Sequence, residues 1–229
     1  MDSRGTSHGT GPGVITPDGC AVEFYALLPP RDEPGIIHAA APSPRASILE
    51  LGAGTGRVTR ALVELGHPVV AVDESPEMLA HIRDAETVCA RIEDLALGRR
   101  FDVVLLASHL INTPDEPTRA ALLETCARHV SGHGRVIIQQ HAPGWFDSAT
   151  ETENQFAGIT FRLRDLSRPG PGLLSATAEY QAGDRLWTQA FTTARLDEPA
   201  LRAALTAAGL GLDRYLTDDR QWLRAVPPR

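Results

Sequence analysis

The chain has 229 residues, 42% of them hydrophobic, with 22 basic and 29 acidic side chains and a formal net charge of -7. This composition is ordinary for one folded domain with a sizeable core, and its acidic balance argues against holding nucleic acid through phosphate contacts. Three widely spaced cysteines, Cys20, Cys89 and Cys126, argue against a disulfide framework or a cysteine zinc site, and no apolar run approaches the roughly 20 residues that span a bilayer.

In chain order, "MDSRGTSHGTGPG" over residues 1–13 is polar and glycine-rich. It lacks the apolar stretch of a signal peptide and reads as a disordered leader on a cytoplasmic protein. "TPDGCAVEFYALLPP" predicts a short helix over about 20–28, stopped by Pro29 and Pro30. "EPGIIHAAAP" predicts another. From Ser47 the pattern becomes regular. "SILELG" is a short buried strand, "GRVTRALVELG" an amphipathic helix ended by Gly66, and "PVVAVD" a second buried strand. "SPEMLAHIRDA" opens with a serine N-cap and a proline at the first helical position. "TVCARIEDL" contains a third strand, "FDVVLLAS" is a fourth, "TPDEPTRAALLETCARHV" is a helix and "GRVIIQQH" a fifth strand.

After His141 the rhythm changes. "GITFRLRDL", "GLLSATAEYQAG" and "DRLWTQAFTTARL" are strand-like, joined by Gly, Pro and Asp turns with no helix between, and read as a three-stranded antiparallel insertion. "DEPALRAALTAAGL" returns to helix, and "LDRYLTDDRQWLRAVPP" reads as two strands around a polar turn. The expected fold is α/β, a three-layer sandwich with a mostly parallel seven-stranded sheet ending in an antiparallel hairpin, plus an antiparallel β insertion after the fifth strand. The expected organisation is one domain: a leader and lid helices over 1–46, a core over 47–141, a substrate-side insertion over 142–196, and a closing helix and hairpin over 197–229.

A strand that ends in a glycine-rich turn and opens a helix brings backbone close to a ligand, because glycine permits the turn and carries no Cβ to block approach. Gly52, Gly54 and Gly56 supply such a turn, and Asp73 ends the next strand about twenty residues on, where an acid bonds the hydroxyls of an adenosine ribose. The spacing departs from the dinucleotide pattern G-x-G-x-x-G: the third glycine comes one position early, and Arg57 stands where that pattern needs it.

"LELGAGTGRVT", with an acid, Glu50, just before its glycines, resembles the first motif of class I S-adenosylmethionine-dependent methyltransferases, E/D-x-G-x-G-x-G. "VVAVDESPEML" resembles the second motif of that family, "ARIEDL" with "RRFDVVLLAS" the third and fourth, and "AAGLGLDRYLTDDRQWLRAVP" its closing helix and hairpin. Four motifs in order, from about Ser47 to the C-terminus, make the resemblance specific. It implies S-adenosyl-L-methionine as cofactor. Gly52, Ala53, Gly54, Thr55 and Gly56 would line the methionine part, with Glu50 holding the loop and the amino group. Asp73, followed by Glu74, would accept both ribose hydroxyls, and Met78 would pack on adenine. Ile92 and Glu93 would flank the adenine. Many relatives have an aspartate just before that position; Arg91 stands here, a departure that leaves the adenine contact to Glu93 or to backbone alone. Ala107, Ser108 and His109 would lie under the reactive methyl, and Phe24 and Tyr25 would form a lid.

An activated methyl needs a nucleophile held in line and shielded from water, and some acceptors need a base as well. His109 and His141 follow the fourth and fifth strands, where open α/β sheets bind ligands, and are the candidate catalytic residues. No metal site is expected: His129 and His133 fall at a helix end, away from the crevice. Trp145 and Phe146 are candidates to line an acceptor pocket, and Arg162 and Arg164, on one face of a strand, either to hold an acidic substrate or to be solvated. The partner is a small-molecule acceptor, and the chain a monomer or homodimer. The reading is methyl transfer to N or O of a metabolite, a natural-product scaffold or sugar among the options. The alternatives are a protein of this fold that binds S-adenosylmethionine without transfer, and an NAD(P)-dependent oxidoreductase.

Overall fold

The computed structural model describes residues 7–228. Two sheets organise them. The larger has seven strands: β2 (Ile48–Leu51), β3 (Val69–Asp73), β4 (Glu86–Cys89), β5 (Phe101–Leu106), β6 (Val130–Gln139), β11 (Gly211–Tyr215) and β12 (Trp222–Val226). Their spatial order is β11-β12-β6-β5-β2-β3-β4. The pairs among β2 to β6 are parallel, and β12 pairs antiparallel with both β6 and β11, as the apolar runs and the terminal hairpin predicted. β2 and β5 are adjacent although two helical connections separate them in sequence, so the chain leaves β2 in one direction and β5 in the other. A crevice opens at such a switch point.

The strands of this sheet are apolar because both faces are covered. One face packs with α5 (Glu116–His129) and α7 (Glu198–Ala207); Leu49, Leu51, Val104, Leu106, Leu123 and Leu201 meet there. The other packs with α2 (Glu33–Ala40) and α3 (Arg57–Glu64) through Ile37, Ile48, Val58, Leu62 and Leu105. α5 and α7 each begin at an aspartate, Asp115 and Asp197, whose carboxylate accepts from the backbone N–H three residues on. The α4 segment is shorter than predicted, a single turn over Pro76–Leu79. Its serine cap forms, with Ser75 Oγ accepting from Met78 N at 3.1 Å, but Ile82 leaves the helical path to pack over Gly56, where an added Cβ would meet it at 2.6 Å.

The second sheet corrects two expectations. It has five antiparallel strands, β1 (His8–Thr10), β10 (Arg185–Ala194), β9 (Leu173–Ala182), β8 (Ile159–Ser167) and β7 (Thr152–Phe156), in that spatial order. The insertion therefore has four strands, not three. β7, "TENQF", is exposed over most of its length, so no apolar alternation announces it. It pairs with β8 through a two-residue turn, Ala157-Gly158, with φ of 51° and 76°, the geometry that matches strand twist. The leader is also not disordered over its described part. His8–Thr10 pair with Ala190–Thr188, and the glycines are there for packing: a Cβ on Gly9 would lie 2.0 Å from the Gly19 carbonyl oxygen, and one on Gly11 2.4 Å from the Trp187 ring. The expectation for residues 1–6 lies outside the described residues.

One face of this sheet is apolar, and α1 (Val22–Leu27) and α6 (Trp145–Ser148) cover its two ends. Phe24 of α1 stacks on Tyr180 at 4.0 Å and packs against Trp187. Phe146 of α6 packs with Leu174 and Ala176. On the opposite face Arg162 and Arg164 pair with Glu153 at 2.8 and 3.3 Å, so the arginine stripe is neutralised and turned from the apolar side. No helix among the described residues is long and apolar enough to cross a membrane.

Candidate active site

The carboxyl ends of the parallel strands place the candidate residues in one row. Along the sheet run His141 after β6, Ala107 to His109 after β5, the glycine turn after β2, Asp73 at the end of β3, and Ile92 and Glu93 after β4. With strands about 4.8 Å apart, the row extends on the order of 20 Å, enough for an elongated ligand and a second molecule at the β5–β6 end.

Gly52, Gly54 and Gly56 all adopt positive φ, 74°, 57° and 79°. At Gly52 an added Cβ would strike Leu110 at 2.9 Å, whereas at Gly54 it would meet nothing within 4 Å. The Gly54 turn thus faces open space, a cradle that a side chain would fill. Gly54 N–H donates to Asp73 Oδ2 at 2.8 Å and Ser75 N–H to Oδ1 at 3.0 Å. A carboxylate has about four lone-pair positions, so acceptor capacity remains for a diol. Burial pushes the Asp73 carboxyl up, and the backbone hydrogen bonds, one of them with Glu74, pull it back. Glu50 is buried, and burial raises its carboxyl to about 7 even though Thr59 donates to it at 2.6 Å. A cation brought to this end of the crevice favours its ionised form. Arg57, in the place of the third dinucleotide glycine, turns away to pair with Glu33 at 2.7 Å.

Tyr25 and Thr55 tie the N-terminal segment to this turn, Thr55 donating to the Tyr25 carbonyl at 3.0 Å. The Tyr25 hydroxyl donates instead to Gln189 of the second sheet at 3.4 Å, and Phe24, read as part of the lid, is a core residue of that sheet. Met78 is buried and Ile92 half-buried, with Thr125 donating to the Ile92 carbonyl at 3.0 Å. The Glu93 carboxylate pairs with Arg91 at 3.2 Å. The residue that departs from the family pattern and its substitute are thus each other's partners.

At the β5–β6 end three rings form a column. His109 stacks on His141 at 4.1 Å and 11°, and His141 on Trp145 at 4.2 Å and 12°; Phe146 meets His141 edge-on. Burial lowers the His109 imidazole to about 4 and that of His141 to about 3, the second also opposed by its neighbour. The Gln140 backbone partly offsets the shift at His109, and His109 Nδ1 is buried with no hydrogen-bond partner among the described residues. Ser108 and His109 both have positive φ, 55° and 58°, at a cost of about 1–2 kcal/mol each. Gln139 and Asn112, which carry no motif and which sequence reasoning missed, hold them: Ser108 N–H donates to Gln139 Oε1 and His141 N–H to Asn112 Oδ1, both at 2.9 Å.

His129 is structural. Its Nδ1 lies 2.8 Å from the Thr125 carbonyl oxygen and its Nε2 accepts from Leu97 N–H at 3.1 Å, which leaves neither nitrogen for a metal.

The stacked histidines set a pH dependence. Both are neutral when folded and titrate near 6.5 when unfolded, so the unfolded chain binds more protons below that pH and stability falls as pH drops from about 6.5 towards 4 and 3. Glu50 has the opposite sign, favouring the fold as pH drops from about 7 towards 4.5. We expect His141→Phe, which keeps a ring in the column, to flatten the decline of the thermal midpoint between about pH 6.5 and 5. A curve parallel to that of the wild type would show that His141 charges freely in the folded state.

A family profile described as "Methyltransferase domain" matches residues 48–134. The cypemycin N-terminal methyltransferase of a Streptomyces species is 31% identical over 144 residues, 58% of this chain and 59% of that protein. The chain therefore spans less than two thirds of that relative's length. Two solved structures share the fold over nearly the whole chain. One is the CcbJ methyltransferase of Streptomyces caelestis, with TM-score 0.70, 22% identity, and coverage of 89% of this chain and 98% of that one. The other is the sugar N-methyltransferase KedS8 of Streptoalloteichus sp ATCC 53650, with TM-score 0.66, 23% identity, and coverage of 86% and 85%.

Proposed function

We propose that the chain, which the family profile and its relatives support as a class I S-adenosylmethionine-dependent methyltransferase, transfers a methyl group to the amine nitrogen of a small molecule such as an amino sugar or a modified peptide. The chemistry that the cofactor supplies is a sulfonium whose methyl is already activated. The residues of the chain bind and orient it: the turn over Gly52 to Gly56 gives backbone access, Asp73 takes the ribose hydroxyls, Glu50 serves the amino end, and Met78, Ile92 and Glu93 border the adenine. The observation that carries the choice of acceptor is the pair of buried, neutral imidazoles beside the switch point. An uncharged, desolvated wall disfavours an ammonium ion, and an amine attacks only with its lone pair free. A hydroxyl needs a stronger base than imidazoles held down to about 4 and 3. Among the relatives, the cypemycin N-terminal methyltransferase and the sugar N-methyltransferase KedS8 are named for nitrogen, and the ubiquinone biosynthesis O-methyltransferase of Xanthomonas campestris, 27% identical over 73% of this chain, for oxygen.

The test is release of S-adenosylhomocysteine from S-adenosylmethionine with a panel of amino sugars and peptide amines, each paired with its hydroxyl analogue. Amines are expected to react at least about tenfold faster. Faster hydroxyl analogues would move the assignment to oxygen, and binding without turnover on any acceptor would identify a protein that holds the cofactor without transfer. Asp73→Ala is expected to weaken S-adenosylhomocysteine binding at least about tenfold by calorimetry, since a charge-assisted contact to two hydroxyls is lost. An unchanged dissociation constant, or tight binding of NAD in its place, would overturn this placement of the cofactor.

A further inference from the structure

We propose that Gln139 and Asn112 are positioning residues that form a reciprocal amide clamp across the ends of β5 and β6 and hold His109 and His141 against the acceptor. The catalytic part of this assignment rests on the methyl-transfer reading above; the clamp itself does not. The two bonds run in opposite directions. Gln139, on β6, reaches the backbone N–H of Ser108 after β5. Asn112, after β5, reaches the backbone N–H of His141 after β6. Each strand end thus fixes the other's backbone one residue from, or at, a stacked histidine.

The clamp is needed because the turn it holds is unfavourable. Ser108 and His109 are consecutive non-glycine residues in the left-handed region, and such a conformation persists only where its surroundings over-determine it. Two further bonds close the turn: Leu110 N–H donates to Ala107 O at 3.2 Å, and Asn112 N–H to His109 O at 2.8 Å. Asn112 also spans to the second sheet. Its Nδ2 donates to the Ala194 carbonyl at 2.9 Å, and its own carbonyl accepts from Thr193 Oγ1 at 3.2 Å. It is 2% exposed. Every polar group of its side chain is therefore committed, and the commitments join three segments: the loop after β5, the end of β6 and the end of β10. The second sheet thus reaches the imidazole column through this side chain as well as through Trp145 and Phe146, which pack on that sheet and on His141.

The experiment compares Gln139→Ala, Gln139→Glu and Asn112→Ala with the wild type. The first readout is titration of the His109 and His141 imidazoles by NMR on the protein alone, which requires no turnover. The second is kcat and KM on the amine that the acceptor panel selects, with the dissociation constant of S-adenosylhomocysteine measured alongside. Gln139→Ala is expected to release the turn. The imidazoles then titrate closer to about 6.5, and kcat falls about tenfold to a hundredfold while S-adenosylhomocysteine affinity stays within about threefold. Gln139→Glu keeps an acceptor oxygen for Ser108 N–H and is expected to restore kcat; its carboxylate itself favours the imidazolium, so the titrations are compared only between Gln139→Ala and the wild type. If Asn112→Ala does not fold, the half-buried Gln139 decides alone. Imidazole titrations unchanged in Gln139→Ala would overturn the clamp whatever the activity. Shifted titrations with kcat unchanged would overturn its catalytic role, and absence of methyl transfer from the wild type would count against the function and not against the clamp.

Discussion

Gly54→Val is expected to weaken S-adenosylhomocysteine binding by at least about a hundredfold, roughly 2.7 kcal/mol, while the chain still folds. The space around this glycine separates the two effects. An added Cβ meets nothing beyond its chain neighbours within 4 Å, so the side chain starts into open space. The residue has φ of 57°, which costs an L-residue about 1–2 kcal/mol and leaves most of a domain's stability in place. The branched side chain instead fills the cradle that brings backbone to the ligand. Gly98→Val is the control for strain: Gly98 has φ of 67°, is equally unobstructed and lies in an exposed turn away from the row of strand ends. It should lose similar stability and keep full affinity. Gly56→Val contrasts with both, because its Cβ meets Ile82 at 2.6 Å and its main effect should be on folding. Calorimetric titration with a thermal melt of each variant checks all three. Equal affinity for Gly54→Val and wild type would mean that no ligand approaches over this turn.

Trp187→Ala is expected to cost about 3–5 kcal/mol of stability, a drop of roughly 10 °C in thermal midpoint for a chain of this size. Trp187 is fully buried. Its ring packs against Phe24 of α1, and its Nε1–H donates to the Pro12 carbonyl at 2.8 Å, so one side chain fastens the N-terminal strand, the first helix and the second sheet. Removing it opens a cavity and leaves the Pro12 carbonyl without its donor. The loss should appear first as proteolytic cleavage within residues 8–19, because the three-residue β1 has little else holding it. Trp187→Phe keeps most of the packing and is expected to lose less than half as much. A change under about 1 kcal/mol for Trp187→Ala, measured by denaturant unfolding, would show that the N-terminal segment docks independently of this ring.

Much of the parallel sheet and of its glycine turn was legible because the signals are local. Buried parallel strands must be apolar on both faces, so β2, β3, β5 and β6 stand out as short runs, and the segments between them have helical period and caps. The glycines and Asp73 are legible for a related reason: a backbone that approaches a ligand requires positive φ within a few residues of a strand end, and an acid at the neighbouring strand end follows from the same geometry. The β5–β6 end was legible only in part. His109 and His141 were identifiable as histidines at strand ends. That they stack with Trp145 follows from the adjacency of β5 and β6, which joins residues 32 positions apart. The edge strand β7 escaped notice because an exposed polar strand carries no apolar period, and the glycine-rich segment before Val14 because its glycines serve close packing on Gly19 and Trp187, which in sequence looks the same as freedom.

By itself, then, the sequence determined the parallel α/β core, the glycine turn and the acid that complements it, since each depends on residues close in the chain and on backbone sterics that hold in any context. Only the tertiary structure decided which residues gather at the β5–β6 end of the row. Burial there lowers two imidazoles to about 4 and 3, and Gln139 and Asn112 acquire partners across strands. Desolvation and hydrogen bonding between distant segments come into existence only when the sheets pack, and an uncharged amide carries no mark in sequence of the backbone group it will meet.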